Sequence, residues 1–184
     1  MEHKARKNPL FSACGLNCGL CPRFHTDGAS RCPGCAGKGF SQVHCSCGML
    51  SCCQRKGFEY CFECECFPCK KYDGVDLSDS FVTHQNQFRD MEKAKRNLNA
   101  YEAELNAKVK LLETLLCDYN DGRKKSFFCL AVNLLELEDV RCVMIQIEAQ
   151  TKPDDPVKEK AAVAQRLFQH MANEQNITLK LRRS

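Results

Sequence analysis

The sequence predicts a mainly α-helical protein, in which an irregular cysteine-rich N-terminal segment precedes a bundle of about four helices, one of them long. Three observations predict this fold class. Thirteen of the sixteen cysteines fall between Cys14 and Cys69. Residues 2–72 contain only twelve Val, Ile, Leu, Met or Phe, whereas residues 73–184 contain thirty-three. From about residue 80 onward, apolar residues recur at helical spacing.

The N-terminal segment has too few apolar side chains to fold around an ordinary hydrophobic core. Segments this small usually need metal ions or disulfides to fold. The chain has no apolar run of signal-peptide or membrane-span character, so we expect a cytoplasmic protein. Reducing conditions there favour metal binding by cysteines over disulfides. The sequence therefore predicts two domains, a metal-stabilised module at residues 10–72 and a helical domain at residues 78–184.

The pairs Cys18 and Cys21, Cys32 and Cys35, and Cys61 and Cys64 are read as three Cys-x2-Cys knuckles, which are short turns that direct two sulfurs at one ion. Glycine lies inside or beside two of the knuckles and permits the positive φ angles that such turns often need. The expected metal ligands are the six knuckle cysteines and four flanking ones: Cys14, Cys18, Cys21, Cys32, Cys35, Cys47, Cys52, Cys61, Cys64 and Cys69.

Three cysteines of the module are expected to be spare, since two tetrahedral sites need only about eight thiolates. Cys53 is adjacent to Cys52, and one residue separates Cys66 from Cys64. Both members of either pair could bind one tetrahedral ion only with backbone strain. Cys45 is the third. His25 and His44 could each replace a thiolate, although exposed loop histidines explain them more simply.

Two kinds of metal centre fit these spacings. Paired knuckles that supply four thiolates are typical of Zn²⁺, and the module has cysteines for about two zinc ions. The spacing Cys14-x3-Cys18-x2-Cys21 is also the one that radical S-adenosylmethionine enzymes use for a [4Fe-4S] cluster. Those enzymes carry it on a barrel of alternating strands and helices, a pattern missing from this sequence. Zinc is the expected cofactor, and an iron–sulfur cluster is the alternative.

The charge of the module is explained by metal binding. Residues 1–72 carry ten Lys or Arg against five Asp or Glu. A divalent ion held by four thiolates is net negative by about two charges, so two such sites would nearly cancel the excess. We therefore expect no nucleic-acid partner.

The ordered motifs resemble a bacterial and archaeal cysteine-rich family catalogued as domain of unknown function 3795. The pattern of that family is an opening CGLxCxxCP, then CxGC, then KGxxxCxxCxxxPC. The matching stretches here run from Cys14 to Pro22, from Cys32 to Cys35, and from Lys56 to Cys69, within residues 12–72. The resemblance implies metal binding and no settled activity.

The second domain begins with one long amphipathic helix, predicted from about Ser80 to Leu116 because neither proline nor glycine interrupts it. In a seven-residue repeat the second apolar position of each repeat should also be apolar. Here Lys95 and Glu102 occupy it, which favours packing within the chain over a coiled-coil dimer. Apolar residues recur every seven positions at Met91, Leu98, Leu105 and Leu112.

Three further helices are predicted. Residues 126–137 are apolar nearly all round, so we expect a buried central helix in which Cys129 is an unreactive thiol. The next helix presents an apolar face at Val140, Val143, Met144 and Ile147. The last begins at Pro156 with Asp155 as its cap.

Three functions are compatible with this organisation. The first is a binding or scaffold module that acts through a protein partner, with no membrane association. The second is an iron–sulfur redox or metal-handling protein. The third is an enzyme, which we do not favour, because no paired carboxylates, Ser/His/Asp order or phosphate-binding loop has convincing context.

Overall fold

A computed structural model describes residues 4–183, and its mainly α-helical fold confirms the predicted fold class. Besides single-turn 3₁₀ helices, the helices are α1 (Phe40–Val43), α2 (Gly48–Lys56), α3 (Gln87–Arg96), α4 (Leu98–Asp118), α5 (Lys125–Leu134), α6 (Leu137–Gln150) and α7 (Val157–Glu174). Within the described range there is no β-strand, and an isolated antiparallel bridge joins Phe11 and Asn17. None of the described helices has the length and apolar character needed to cross a lipid bilayer.

The chain packs into two compact units. The first runs to Leu105 and takes in the segment from Leu181, and the second is Asn106–Lys180. The division therefore falls inside α4, whereas the composition of the sequence changes at residues 72–78. Whether residues 10–72 and 78–184 fold separately stays a prediction.

The first unit buries a small core of aromatic rings and sulfur. The ring of Phe11 is fully buried, with its centroid 5.3 Å from that of Tyr60 and 4.8 Å from that of Tyr101. Beside it lies a buried cluster that includes three thiols: Ala13, Cys32, Cys35, Ala36, Phe40, Leu50 and Cys53. Since Tyr101 and the buried Met91 come from α4 and α3, these helices supply apolar surface that the cysteine-rich segment lacks.

A buried polar network joins the start of the chain to α3 and α4. The carboxylate of Asp90 is buried and accepts hydrogen bonds from the side-chain amides of Asn17, at 2.9 Å, and Asn86. The hydroxyl of Tyr101 donates to the Asn17 amide oxygen at 2.8 Å. Buried polar groups are tolerated when they are hydrogen-bonded in this way. The network therefore holds Asn17, which precedes the knuckle cysteine Cys18, in one position.

The predicted long helix was wrong at its start, because polar side chains hold residues 79–86 in a loop. The backbone N–H of His84 donates to Asp79 Oδ1 at 2.8 Å, and that of Gln85 donates to Thr83 Oγ1 at 3.2 Å. Such side-chain-to-backbone bonds compete with helix formation. The first helix of this region accordingly begins at Gln87.

The predicted long helix is also interrupted at Asn97, which has extended backbone angles (φ −154°, ψ 93°). Its N–H closes α3 by donating to the carbonyl of Lys93, while its side-chain oxygen accepts from the Ala100 N–H at 3.1 Å. Asparagine is favoured at N-caps for this reason. Asn97 therefore ends α3 and caps α4.

The second unit is an ordinary helical core. As predicted, α5 is buried almost all round, and Cys129 is 1% exposed. The ring centroids of Phe128 in α5 and Phe168 in α7 lie 6.1 Å apart, and both rings are fully buried. The predicted face of α6 is also buried, at Val140, Val143, Met144 and Ile147.

The last helix starts slightly differently from the prediction. Pro156 is its N-cap and Val157 its first residue, while the Asp155 side chain accepts from the Lys152 N–H at 2.7 Å and stabilises the preceding turn. After α7, Arg182 returns to the first unit, where its guanidinium Nη2 lies 2.8 Å from Asp79 Oδ1. The C-terminal segment is thereby anchored by a charge pair.

Candidate metal centre

The cysteines of the module all carry free thiols, and twelve of the thirteen divide into two groups that adjoin where Cys53 packs in one buried cluster with Cys32 and Cys35. The first thiol group comprises Cys14, Cys18, Cys21, Cys32, Cys35 and Cys47, which lie close enough to influence one another electrostatically. The second thiol group comprises Cys52, Cys53, Cys61, Cys64, Cys66 and Cys69, which line one pocket. Among residues 4–183, no three His, Cys, Asp or Glu side chains already have the arrangement of a metal site.

The first knuckle is a 3₁₀ turn over Cys18–Leu20. The N–H of Cys21 donates to the Cys18 carbonyl at 3.1 Å, and the N–H of Phe24 donates to the Cys21 carbonyl at 2.9 Å. The backbone N–H groups of Arg23 and Phe24 also point at the Cys21 sulfur. Donors aimed at a sulfur favour its thiolate, which is the form that binds metal.

The third knuckle has the same backbone design. Residues Cys61–Glu63 form a 3₁₀ turn, the N–H of Cys64 donates to the Cys61 carbonyl at 3.1 Å, and the N–H of Phe67 donates to the Cys64 carbonyl at 2.9 Å. The N–H of Cys66 points at the Cys64 sulfur. The first and third knuckles therefore have the same 3₁₀ turn and the same two backbone hydrogen bonds. In each, a backbone N–H also points at the sulfur of the second cysteine. The segment thus contains one local structure twice.

The second knuckle, Cys32 to Cys35, depends on a glycine. Gly34 has φ +86°, and a Cβ placed on it would lie 2.4 Å from the carbonyl oxygen of Pro9. That same carbonyl accepts the N–H of Cys35 at 2.8 Å. Glycine is therefore required here both by its backbone angle and by the close approach of Pro9.

The first thiol group lies in surroundings that disfavour a lone thiolate. Burial, opposed by a hydrogen bond from Ser12 and reinforced by the charges of Cys47 and Cys35, raises the pKa of Cys14 to about 12. Burial and the charges of the neighbouring thiols, Cys35 first, hold the pKa of Cys18 well above its ordinary value. These thiols would lose their protons when a divalent cation neutralises the thiolates together.

A cation already lies near one member of the first thiol group. The guanidinium of Arg6 is buried, and its charge opposes the rise that burial causes in the pKa of Cys35. Arg6 also donates to the carbonyl of Phe11 at 2.6 Å and to that of Glu59 at 3.1 Å. It thus connects the second knuckle to the backbone just before the third.

The second thiol group surrounds a pocket of about 100 Å³. Its remaining wall is made of apolar and cationic side chains: Met49, Lys56, Phe58, Phe67, Lys71 and Tyr72. Cys66 is exposed and Cys53 is buried, so the sulfurs extend from the surface into the unit. The pocket therefore offers an ion several thiol ligands and a path from solvent.

Two sulfurs of this pocket are in direct contact. The Sγ atoms of Cys53 and Cys61 lie 3.3 Å apart. The hydrogen bond between these two sulfurs lowers the pKa of Cys61 and raises that of Cys53. Ligands of one tetrahedral zinc, at about 2.3 Å from the metal, are about 3.8 Å apart. The Cys53–Cys61 separation is close to that spacing.

The rim of the pocket is positively charged. The ammonium of Lys56 lies 3.3 Å from the Cys64 sulfur. The N–H of Cys66 and then the Lys56 ammonium lower the pKa of Cys64. In the second thiol group the pKa values of Cys61 and Cys64 are therefore lowered, whereas those of Cys14 and Cys18 in the first are raised.

The ten predicted ligands divide six to four between the groups. Of the three cysteines expected to be spare, Cys45 and Cys66 are exposed, but Cys53 is buried at 4% exposure against Cys61. The histidine rings bond backbone carbonyls, His25 that of Gly19 at 2.7 Å and His44 that of Cys45 at 2.8 Å.

Sequence reasoning missed the side chains that support the sulfurs. Arg6, Lys56 and Tyr72 influence sulfurs of the two groups. Lys56 stands in the KGxxxC motif, which was the one available signal. Arg6 lies 29 residues before Cys35 and Tyr72 lies eleven residues after Cys61, so no short motif signals either pairing.

The donor set suits a thiophilic cation. Both groups present four or more soft sulfur donors, backbone N–H groups aimed at sulfurs and nearby cationic side chains, which together match the chemistry of structural zinc sites. The sulfurs would have to rearrange to bind an ion, because no three His, Cys, Asp or Glu side chains among the described residues have the arrangement of a metal site.

Comparison with known proteins leaves the activity open. No curated protein matches the chain, and no solved structure does. The resemblance predicted from the motifs is confirmed, since residues 10–74, the cysteine-rich segment, match the family described as protein of unknown function (DUF3795).

Proposed function

We propose that this is a zinc-binding protein whose cysteine-rich segment holds about two ions, one in each thiol group. The first ion would be held by the paired knuckles, Cys18 with Cys21 and Cys32 with Cys35, beside Cys14 and Cys47. The second would be held by Cys52, Cys61, Cys64 and Cys69. The ions would act as folding elements for a segment that has little apolar core of its own.

The observation that carries this proposal is the duplicated knuckle. Cys18–Cys21 and Cys61–Cys64 have the same 3₁₀ turn and the same N–H bonds, and each lies in a different thiol group. Such a turn places the sulfurs of its two cysteines side by side. Two copies in two groups support two separate ions.

We further propose that the protein acts as a binding or scaffold module for a protein partner. Two large apolar side chains of the first unit, Leu77 and Phe81, are 74% and 64% exposed in the loop before α3. The two residues are four positions apart in the sequence, and exposed apolar surface of this kind is a feature of protein contacts when it is contiguous. The guanidinium of Arg23 lies 5.1 Å from the Phe81 ring centroid and borders this surface with charge.

Elemental analysis of anaerobically purified protein tests the zinc proposal. We expect about two zinc ions per chain, about one after Cys18→Ser and about one after Cys61→Ser, because each change removes a ligand from one site. Cys117→Ser is the matched control, since Cys117 is an exposed cysteine of α4 outside both groups, and it should keep two.

Retention of two zinc ions by both ligand variants would contradict the assignment. Loss of both ions from either single variant would contradict two separate sites. A metal-free chain that folds normally would overturn the zinc proposal as a whole.

An iron–sulfur cluster is the second candidate, supported by the first thiol group. Cys14, Cys18 and Cys21 have the spacing of a cluster loop, and the structure places Cys14 and Cys21 within electrostatic reach of Cys18. Iron and sulfide in the same analysis, with a broad visible absorption, would favour this candidate. A colourless protein containing only zinc would exclude it.

A further inference from the structure

The contact between Cys53 and Cys61 is the starting point. Cys53 lies in α2 and Cys61 opens the third knuckle, and their sulfurs are 3.3 Å apart. A disulfide has a sulfur–sulfur distance of about 2.05 Å. The two sulfurs would therefore bond after an approach of roughly 1.2 Å, within the reach of side-chain rotation and a small backbone shift.

Cys53 is not needed as a ligand of the second site. Cys52 and Cys53 are consecutive residues of α2, so their side chains point about 100° apart on the helix. With Cys52, Cys64 and Cys69 in the same pocket, Cys61 already completes four thiolates. Cys53 is thus a fifth thiol held against a ligand.

We propose that Cys53 and Cys61 are a peroxide-sensitive pair, whose oxidation to a disulfide removes Cys61 from the second metal site and releases its ion. This inference rests on the proposed zinc function. It assigns a task to Cys53, one of the two thiols of this group, with Cys66, that a four-coordinate zinc ion leaves unbound.

The chemistry balances with hydrogen peroxide as the oxidant. The Cys61 thiolate attacks one peroxide oxygen, the O–O bond breaks, and a sulfenic acid and hydroxide form. The Cys53 sulfur then attacks the sulfenic sulfur, forming the S–S bond and expelling the second oxygen, which leaves as water with the Cys53 proton. Overall, one thiolate and one thiol lose two electrons to one peroxide, which leaves as one hydroxide and one water, and the hydroxide takes a proton from solvent to become the second water.

The surroundings of the pair suit this reaction. The pocket that both sulfurs line also includes the exposed Cys66 and the ammonium of Lys56, so small polar oxidants have access from solvent. The disulfide would close a short loop, since only seven residues separate the two cysteines. Redox-sensitive cysteines are typically accessible thiolates with a second, resolving cysteine beside them, which here are Cys61 and the buried Cys53.

The test treats the zinc-loaded full-length chain with hydrogen peroxide and follows released zinc with a colorimetric chelator. Peptide mapping by mass spectrometry identifies the disulfides. We expect about one of two zinc ions to be released together with a Cys53–Cys61 disulfide, and dithiothreitol to restore binding. Cys53→Ser and Cys53→Ala should keep two ions when reduced and release zinc at least tenfold more slowly. Cys45→Ser, an exposed cysteine outside both groups, should behave like the unchanged chain.

Three results would overturn the inference. One is loss of an ion from the reduced Cys53 variants, which would make Cys53 a ligand. Another is zinc release accompanied by a disulfide other than Cys53–Cys61. The third is release of zinc from Cys53→Ser and Cys53→Ala at the same rate as from the unchanged chain. If the chain binds no zinc, the proposed function fails by itself, and disulfide mapping of the metal-free chain then decides whether Cys53 and Cys61 pair.

Discussion

The two compact units bury different kinds of side chain. The second unit buries aliphatic and aromatic side chains from four helices, with Phe128, Val140 and Phe168 fully enclosed. The first unit contains many single-turn elements, and its core includes thiols, tyrosine rings and the buried carboxylate of Asp90. Apolar burial is non-directional and tolerates small shifts, whereas ligand bonds and polar networks depend on exact positions. The first unit should therefore be sensitive to changes that leave the second unaffected.

Metal removal should produce the largest effect. A strong chelator at neutral pH should unfold residues 12–72, because the thiol groups would lose the ions that hold their turns together. Near-UV circular dichroism should collapse, since Tyr60, Tyr72 and Tyr101 all lie in the first unit. Far-UV helicity should largely survive in the second unit.

The contrast between the units would fail if chelation removed both signals together. That outcome would mean that the units form one cooperative structure. Re-addition of zinc is the control, and it should restore the near-UV signal.

Phe168→Ala should destabilise the second unit by about 3–5 kcal/mol, because it leaves a large cavity beside Phe128. The free energy of unfolding, followed by far-UV circular dichroism in urea, measures it. Zinc content should stay unchanged. Ile145→Ala is the matched control, since Ile145 is 67% exposed and should change the free energy by less than about 0.5 kcal/mol. Zinc loss from Phe168→Ala would show that the units depend on each other.

Gly34→Ala should destabilise the first unit by about 2–4 kcal/mol, since it adds a clash with the Pro9 carbonyl to the cost of a positive φ angle. Near-UV circular dichroism in urea measures the loss. Gly28→Ala is a close control, because Gly28 has φ +81° with open space around its Cβ position. It should cost about 1–2 kcal/mol. Equal effects of the two substitutions would mean that the Pro9 contact contributes nothing.

The smallest expected effect concerns the anchor of the C-terminal segment. Arg182→Ala should cost about 1–2 kcal/mol, because it removes a hydrogen-bonded pair with Asp79 that is partly screened by solvent. Thermal unfolding at several pH values measures it. Arg183→Ala, an exposed neighbour, should have no effect.

The loss of stability caused by Arg182→Ala should become smaller as the pH falls. Burial opposes ionisation of Asp79, but hydrogen bonds from Arg182 and the His84 N–H outweigh it and lower the pKa of Asp79. A carboxyl with a lowered folded-state pKa contributes stability above its unfolded pKa, near 3.9, and loses it as the pH falls through the folded value. The difference between the unchanged chain and the variant should therefore shrink below about pH 4. A constant difference down to pH 2 would contradict the assigned charge pair.

Much of the helical unit could be predicted from the sequence, because its signals are local. The apolar face of α6 and the buried α5 follow from periodicity and composition. The break at Asn97 was missed because both flanking segments carry the same apolar repeat. An asparagine after the basic residues Lys93, Lys95 and Arg96 was the available signal.

The candidate site was predicted only in its components. Motif spacing identified the knuckles, since a Cys-x2-Cys turn is set by four consecutive residues. It could not identify the influence of Arg6 on Cys35 or of Tyr72 on Cys61, because no short motif spans the 29 and eleven residues that separate them. Cys53 was judged spare from its adjacency to Cys52, and that adjacency carries no information about Cys61.

The sequence by itself determined the number and type of local pieces: three cysteine knuckles, a family pattern over residues 10–74 and a set of amphipathic helices. These depend on interactions between residues close in the chain. The tertiary structure decided which knuckles share a group, where the units divide, and that Cys53 lies against Cys61. Those outcomes depend on how distant segments pack, and packing is settled by the whole chain because each contact must fit all the others at once.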